Sequence, residues 1–190
     1  GMGHYTGGLI GKNITKNQIN IINKNYSLGE VLSEGDYSGG LIGYNEGDGI
    51  TENFSESNVT SQGNHTGGLI GGNNGEILNC YAKGSVTGQK NAGGLIGTTY
   101  QKIINCYSAG YIKGENNYTG GLIGVVKDNA LIEYCYYDKN SSGQFDTSKG
   151  IPKTTVEMKQ KYTFISHWNF ENIWNIDEGE SYPYIRWQSQ

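Results

Sequence analysis

Three histidines, three cysteines and eighteen carboxylates are the residues of this 190-residue chain that could hold a metal or move a proton. Their spacing argues against both kinds of chemistry. His4, His65 and His167 lie far apart, and no His-Glu-x-x-His places two imidazoles on one helical face as a zinc protease needs. His4 and His65 sit just before Thr-Gly-Gly segments and read as solvated turn residues. No Gly-x-Ser-x-Gly elbow presents a serine nucleophile, and no Gly pair is followed by the Lys-Ser/Thr of a phosphate loop. Glycoside chemistry needs two carboxylates converging on one bond. Here Asp36, Asp48, Asp128 and Asp138 fall at unrelated places, and Glu52 and Glu133 are distant in sequence. A calcium-binding nonapeptide repeat is absent. The expectation is therefore no enzyme: no catalytic, cofactor-binding or metal-ligating residue, and no cofactor.

The remaining candidates are residues that bind by surface contact. Trp168, Trp174 and Trp187 are all the tryptophans of the chain, and they fall within twenty residues alongside Phe170, Tyr182 and Tyr184. Such a cluster reads as a sugar-binding platform or as the filling of a core, since large aromatic rings serve both ends. Cys80, Cys106 and Cys135 are odd in number and equivalently placed, so a Cys80–Cys106 disulfide and buried free thiols are both open readings.

What must position these residues is a repeat. Gly-Gly-Leu-Ile-Gly occurs five times, starting at Gly7, Gly39, Gly67, Gly93 and Gly120 and carrying Leu9, Leu41, Leu69, Leu95 and Leu122. Between copies runs a second block: an Ile, an aromatic four residues later (Tyr26, Phe54, Tyr81, Tyr107, Tyr136), then a β-branched residue in the first four repeats. Self-similarity at 26–32 residues marks units that bury their apolar faces only by stacking on one another. The reading is an all-β solenoid, a parallel β-helix of about five coils, with stacked antiparallel hairpins as the alternative. Stacking predicts an aromatic column through Tyr26 to Tyr136 and a mixed column of Asn25, Asn53, Cys80, Cys106 and Cys135.

Two positions demand a bend. Leu and Ile are adjacent and apolar in every pentapeptide, so the strand there is covered on both faces or bent. Lys24, Glu52, Asn79, Asn105 or Tyr134 separates the Ile from the aromatic, and a charge inside a coil is costly. A kink is expected there, between the Ile and the aromatic, and strand parity leaves the facing of the aromatic column open. Gly29, Ser57, Gly84 and Gly110 mark the next corner, read as positions where backbone freedom matters.

Net charge is −4 and no basic stripe appears, which disfavours nucleic acid and anionic membranes as partners. No run is long enough to insert in a membrane, and Gly1–Tyr5 carries no targeting signal. Seven Asn-x-Ser/Thr sequons (Asn13, Asn25, Asn53, Asn58, Asn64, Asn117, Asn140) read as turn and ladder residues rather than glycan acceptors.

The pentapeptides together with Asn-Cys-Tyr and the following Gly-x-Val resemble the GLUG repeat of bacterial surface proteins, over residues 5–137. That resemblance implies a secreted or cell-surface protein, adhesin-like, or a non-catalytic part of an IgA-cleaving metallopeptidase. The expected organisation is a GLUG solenoid over residues 1–137, a linker over 138–153 and a capping region over 154–190. In the last, Thr154-x-x-Glu157 reads as the capping box of a short helix, and the aromatics cover the open end of the stack. The functional expectation is an adhesion stalk or binding surface whose partner is a host glycan or protein. The alternative is an accessory module serving other domains of a larger parent chain, and a β-helical carbohydrate enzyme comes third.

Overall fold

The computed structural model describes residues 3–15, 19–115, 118–128 and 130–189; Asn117 lies outside them. The chain winds as a parallel β-solenoid of four full coils and a partial fifth, so the hairpin alternative is excluded. Each full coil carries five short strands. In the third they are Asn64–Gly67, Ile70–Asn73, Glu76–Leu78, Tyr81–Ala82 and Val86–Gly88. Equivalent strands pair in parallel and in register between coils, as Ile10, Ile42, Ile70, Ile96 and Ile123 show along the second sheet. Ile151–Lys153 adds a sixth strand beside Tyr136–Asp138.

The pentapeptide is a corner. The first strand stops at its first glycine and the second resumes at its Ile, so Leu and Ile both turn into the core. Leu41, Leu69, Leu95, Leu122 and the paired Ile residues are fully buried. One carbonyl of the next coil accepts both backbone N–H groups of this dipeptide: Leu69 O serves Leu41 N at 2.9 Å and Ile42 N at 3.0 Å. The glycine pair is required by close approach. A Cβ on Gly93 would lie 2.1 Å from Ile96 O, and one on Gly94 would lie 2.3 Å from Gly121 O and 2.7 Å from Ser108 Oγ.

The kink between the third and fourth strands is also present. Lys24, Glu52, Asn79, Asn105 and Tyr134 all adopt left-handed backbone, with φ between 51° and 56°. Residues other than Asn resist this region, so the cost recurs in every coil and must be offset locally. The next residue does so. Asn53 Oδ1 accepts Asn25 N at 2.8 Å, Cys80 Sγ accepts Asn53 N at 3.4 Å, Cys106 Sγ accepts Cys80 N at 3.3 Å, and Cys135 Sγ accepts Cys106 N at 3.4 Å. The same side chains donate to the carbonyl two residues back: Asn53 to Thr51 O, Cys80 to Leu78 O, Cys106 to Ile104 O and Cys135 to Glu133 O. Thiol and amide therefore do one job, satisfying buried backbone that the kink takes out of the ladder. All three cysteines are free and buried.

Past the kink the side-chain alternation is reset, which settles the facing that parity left open. Ser55, Ala82 and Ser108 face the core beside the second glycine of the pentapeptide, and the aromatics face outward. The corner after them also differs in cause: only Gly29 has positive φ (107°), whereas Gly84 and Gly110 are needed because a Cβ would strike the neighbouring coil's backbone. A second polar column, absent from the sequence reading, lines the end of the second strands. Asn13 donates to Asn45, Asn45 to Asn73, and Asn73 to Thr99, all inside the coil.

The aromatics of residues 154–190 lie along the flank of the stack rather than over its open end. Residues 143–153 cover the fifth coil, where Lys149 Nζ donates to Thr119 O and Gly124 O and Tyr137 OH to Asp146 O. Two short helices, Lys139–Ser142 and Thr155–Met158, flank this segment, the second with the expected Thr154/Glu157 capping box. They meet at buried Asp138, which accepts from Asn140 N, Ser141 N, Thr155 Oγ1 and Tyr182 OH. From there the chain runs back along the flank of the solenoid, over the aromatic column.

Candidate functional site

The aromatic column is a continuous stack. Ring centroids are 5.2 Å apart for Tyr26–Phe54 and 5.0 Å for both Phe54–Tyr81 and Tyr81–Tyr107, with planes within 14°. Tyr136 follows in register beyond Tyr107. The three tryptophans lie across this column. Trp187 packs on Tyr26 and Phe54, Trp174 on Tyr81 and Tyr107, and Trp168 on Tyr107 and Tyr136. Trp174 is fully buried and Trp168 nearly so, while Trp187 is half-buried.

Their indole N–H groups all reach kink residues. Trp187 Nε1 donates to Glu52 O at 3.0 Å, Trp174 Nε1 to Asn79 Oδ1 at 3.2 Å and Trp168 Nε1 to Tyr134 O at 2.9 Å. Asn105 Nδ2 approaches His167 O at 3.4 Å, and the His167 ring lies on Tyr134. The left-handed kinks thus do two things: they turn polar groups outward and give the tail its register. Tyr107 OH donates to Pro183 O at 2.6 Å and Gln188 Nε2 to Tyr81 OH at 2.6 Å, which closes the contact. Burial pushes the Tyr107 phenol well above its ordinary pKa.

A second aromatic surface lies in the outer angle between the first and second strands. Tyr5, Tyr37 and His65 stack along one wall, with centroids 5.5 Å and 4.6 Å apart. The facing wall is the register row Lys12, Tyr44, Gly72, Thr98 and Val125. Contacts cross the angle: Tyr44 meets Tyr37 edge-on at 4.8 Å, Lys12 Nζ lies 4.9 Å from the Tyr5 ring centre, and His65 Nδ1 is 2.6 Å from Thr98 Oγ1. His65 is therefore a half-buried groove residue rather than a solvated turn, and burial lowers its pKa. Partial burial and neighbouring phenols raise the pKa of Tyr37. Sequence reasoning missed this groove, although a signal existed: Tyr5, Tyr37, His65 and Tyr118 all stand two residues before a pentapeptide.

The carboxylates weighed for catalysis are dispersed. Asp36 binds Asn64 and pairs with His4, Asp48 accepts Asn20 N, Glu52 pairs with Lys24, and Glu133 with Lys102. Among the described residues no group of three or more His, Cys, Asp or Glu is arranged for a metal. No described helix is long and apolar enough to cross a membrane.

Residues 62–87, one coil of the solenoid, match the family described as the GLUG motif. That coil is similar to the GLUG motif. That family describes a repeat module without catalytic residues of its own. A protein of Evansella cellulosilytica, provisionally named a Gly-rich membrane protein, is 41% identical over 69 residues, which is 34% of this chain. The match spans only 8% of that protein's length. No solved structure matches the chain significantly.

Proposed function

We propose that this GLUG solenoid is a non-enzymatic module of a bacterial surface or secreted protein, serving as adhesion stalk or binding surface for a glycan or host protein. The observation that carries this reading is the division of the two aromatic surfaces. From Phe54 to Tyr107 the column is covered by the tail, with Tyr26 at its end 52% exposed, so the tryptophans act in packing, whereas the tyrosine groove faces outward with no segment over it among the described residues. Tyr5 is 38% exposed. Exposed aromatic rings flanked by Asn, Asp and Lys suit amphipathic ligands. Dispersed, individually paired carboxylates support the non-enzymatic part of the reading.

The test is retention of purified protein on glycan arrays and on host-cell surfaces. Retention lost when Tyr44 and Tyr37 become Ala, and kept when Trp187 becomes Ala, supports the groove as the contact surface. Equal retention of all variants refutes it. The second reading, an accessory module positioning a protease or hydrolase elsewhere in a parent chain, is favoured by the small share of the Evansella protein that the match covers. A parent chain carrying His-Glu-x-x-His outside the repeats would select it.

A further inference from the structure

The two ends of the stack are finished differently. At the fifth coil the pentapeptide row is closed. Gly121 N donates to Asp146 Oδ1 at 2.8 Å, Lys149 Nζ donates to Gly124 O at 2.8 Å, and Gly150 lies so close that a Cβ on it would stand 2.9 Å from the Leu122 side chain. Leu122 is fully buried there, as Leu41, Leu69 and Leu95 are inside the stack. At the first coil the equivalent Leu9 is 53% exposed, and half-exposed Tyr26 pairs in register with buried Phe54.

The ladders stop at that same face in mid-pattern. Leu41 O accepts Leu9 N and Ile10 N, and Leu69 O, Leu95 O and Leu122 O each accept the corresponding pair from the coil before. Leu9 O holds the next place in that row. In the kink ladder Asn53 Oδ1 accepts Asn25 N and Cys80 Sγ accepts Asn53 N, so the Asn25 side chain stands where a further backbone N–H would arrive. In the inner Asn column, Asn45 and Asn73 each receive an amide proton from the coil before, whereas Asn13 Oδ1 takes its donor from Asn20 of its own coil. Backbone donors keep the same order. Tyr37, Phe54, Glu56 and Asn58 donate back to His4 O, Asn25 O, Ser27 O and Gly29 O of the first coil. Tyr5, Tyr26, Leu28 and Glu30 hold those donor positions one coil earlier.

We infer that this leading face is a docking surface for a further coil of the same repeat, carried on the same polypeptide and stacked in parallel about 4.8 Å away. Continuity with the existing interface names the occupant. The first and second coils already meet through five parallel strand pairs, and the added coil repeats that contact residue for residue. It buries Leu9 and Tyr26 and takes over the acceptor that Asn20 now serves. A second copy of the chain fits the face poorly. Two first coils meeting face to face run their strands antiparallel, against every ladder in the stack, and the fifth coil of another copy is closed by residues 143–153.

The experiment joins an additional copy of residues 36–63 to His4 in place of residues 1–3, keeping the rest of the protein whole; Asp36 and Asn64 hold the place of His4 in the next two coils. Amide hydrogen exchange is followed by NMR in the parent and extended proteins. The amides of Tyr5, Tyr26, Leu28 and Glu30 exchange at least about tenfold more slowly in the extended protein, with the signals of the third to fifth coils unmoved. An extension in which the copied Leu41 and Ile42 are Asn leaves the four amides at parent rates. Leu9→Asn gives an independent reading: it shifts the urea midpoint several-fold more in the extended protein, where Leu9 is covered, than in the parent. Parent exchange rates in an extended protein that keeps the parent signals, or equal midpoint shifts from Leu9→Asn in both backgrounds, overturn the inference. Protection of the same four amides in the parent chain that grows with protein concentration assigns the face to a second copy and overturns it as well.

Discussion

Replacing Cys80 isolates the device that lets the coil kink. Cys80 Sγ accepts Asn53 N at 3.4 Å and donates to Leu78 O at 3.2 Å, in a fully buried site. Alanine leaves the Asn53 N–H without its partner. An unsatisfied buried donor costs about 1–3 kcal/mol, and sulfur is a weak acceptor, so the lower half of that range applies. Removing the buried sulfur itself adds roughly 1 kcal/mol, by analogy with a methylene. Together Cys80→Ala destabilises by about 2–3 kcal/mol, which in a chain of this length lowers Tm by about 5–10 °C. Asparagine is the informative control. Asn53 performs the same two tasks one coil earlier, accepting Asn25 N at 2.8 Å and donating to Thr51 O at 2.8 Å. Cys80→Asn extends that run by one and retains most of the stability. Urea unfolding at constant m-value and a thermal scan measure both variants. If Cys80→Ala stays within about 0.5 kcal/mol of the parent, or Cys80→Asn is the worse of the two, the ladder argument fails.

Trp174→Ala removes a fully buried ring from the flank and costs about 3–5 kcal/mol in equilibrium unfolding; a variant near parent stability would show that the tail adds nothing to the solenoid. Gly94→Ala drives a Cβ to within 2.3 Å of Gly121 O and costs roughly 1–3 kcal/mol or more, while Gly49→Ala, whose nearest neighbour is at 3.8 Å, stays within about 0.5 kcal/mol. Denaturation midpoints of the pair decide it. For His65 the folded pKa lies below the ordinary value because burial disfavours the imidazolium. The unfolded chain then binds more protons between the two values, so stability falls as pH drops from near 7 and levels off below the folded pKa. His65→Asn, which copies Asn91 in the next coil, removes that slope; an unchanged pH profile of Tm would contradict the assignment.

The solenoid was legible because stacking makes every inward position repeat. Five copies of one pentapeptide mark the number of coils, and a charge between two apolar positions marks the kink. What the sequence hid was facing. Strand parity alone places Ile77 and Tyr81 on one side, but the left-handed residue at Asn79 resets the alternation, and the aromatic turns outward. The glycine at the following corner misled in a related way, since Gly84 answers a steric limit set by Ser57 O in another coil. The tyrosine groove was obscured because its members come from two strands and differ from coil to coil as Tyr, His, Asn, Lys and Val. Stacking requires identity where side chains are enclosed and permits drift where they face outward.

That distinction bears on where recognition can reside. The outward aromatic column repeats nearly as strictly as the core, and the reason is that it too is enclosed, by a tail whose tryptophans are spaced to meet the kinks of the second, third and fifth coils. Uniformity there reflects packing. The groove between the first and second strands carries no such constraint and varies most, from the crowded Tyr37–Tyr44 contact to the valine, Val125, at the same register in the fifth coil. In a stack of near-identical coils, a ligand is distinguished by the coil that departs from its neighbours at an exposed position.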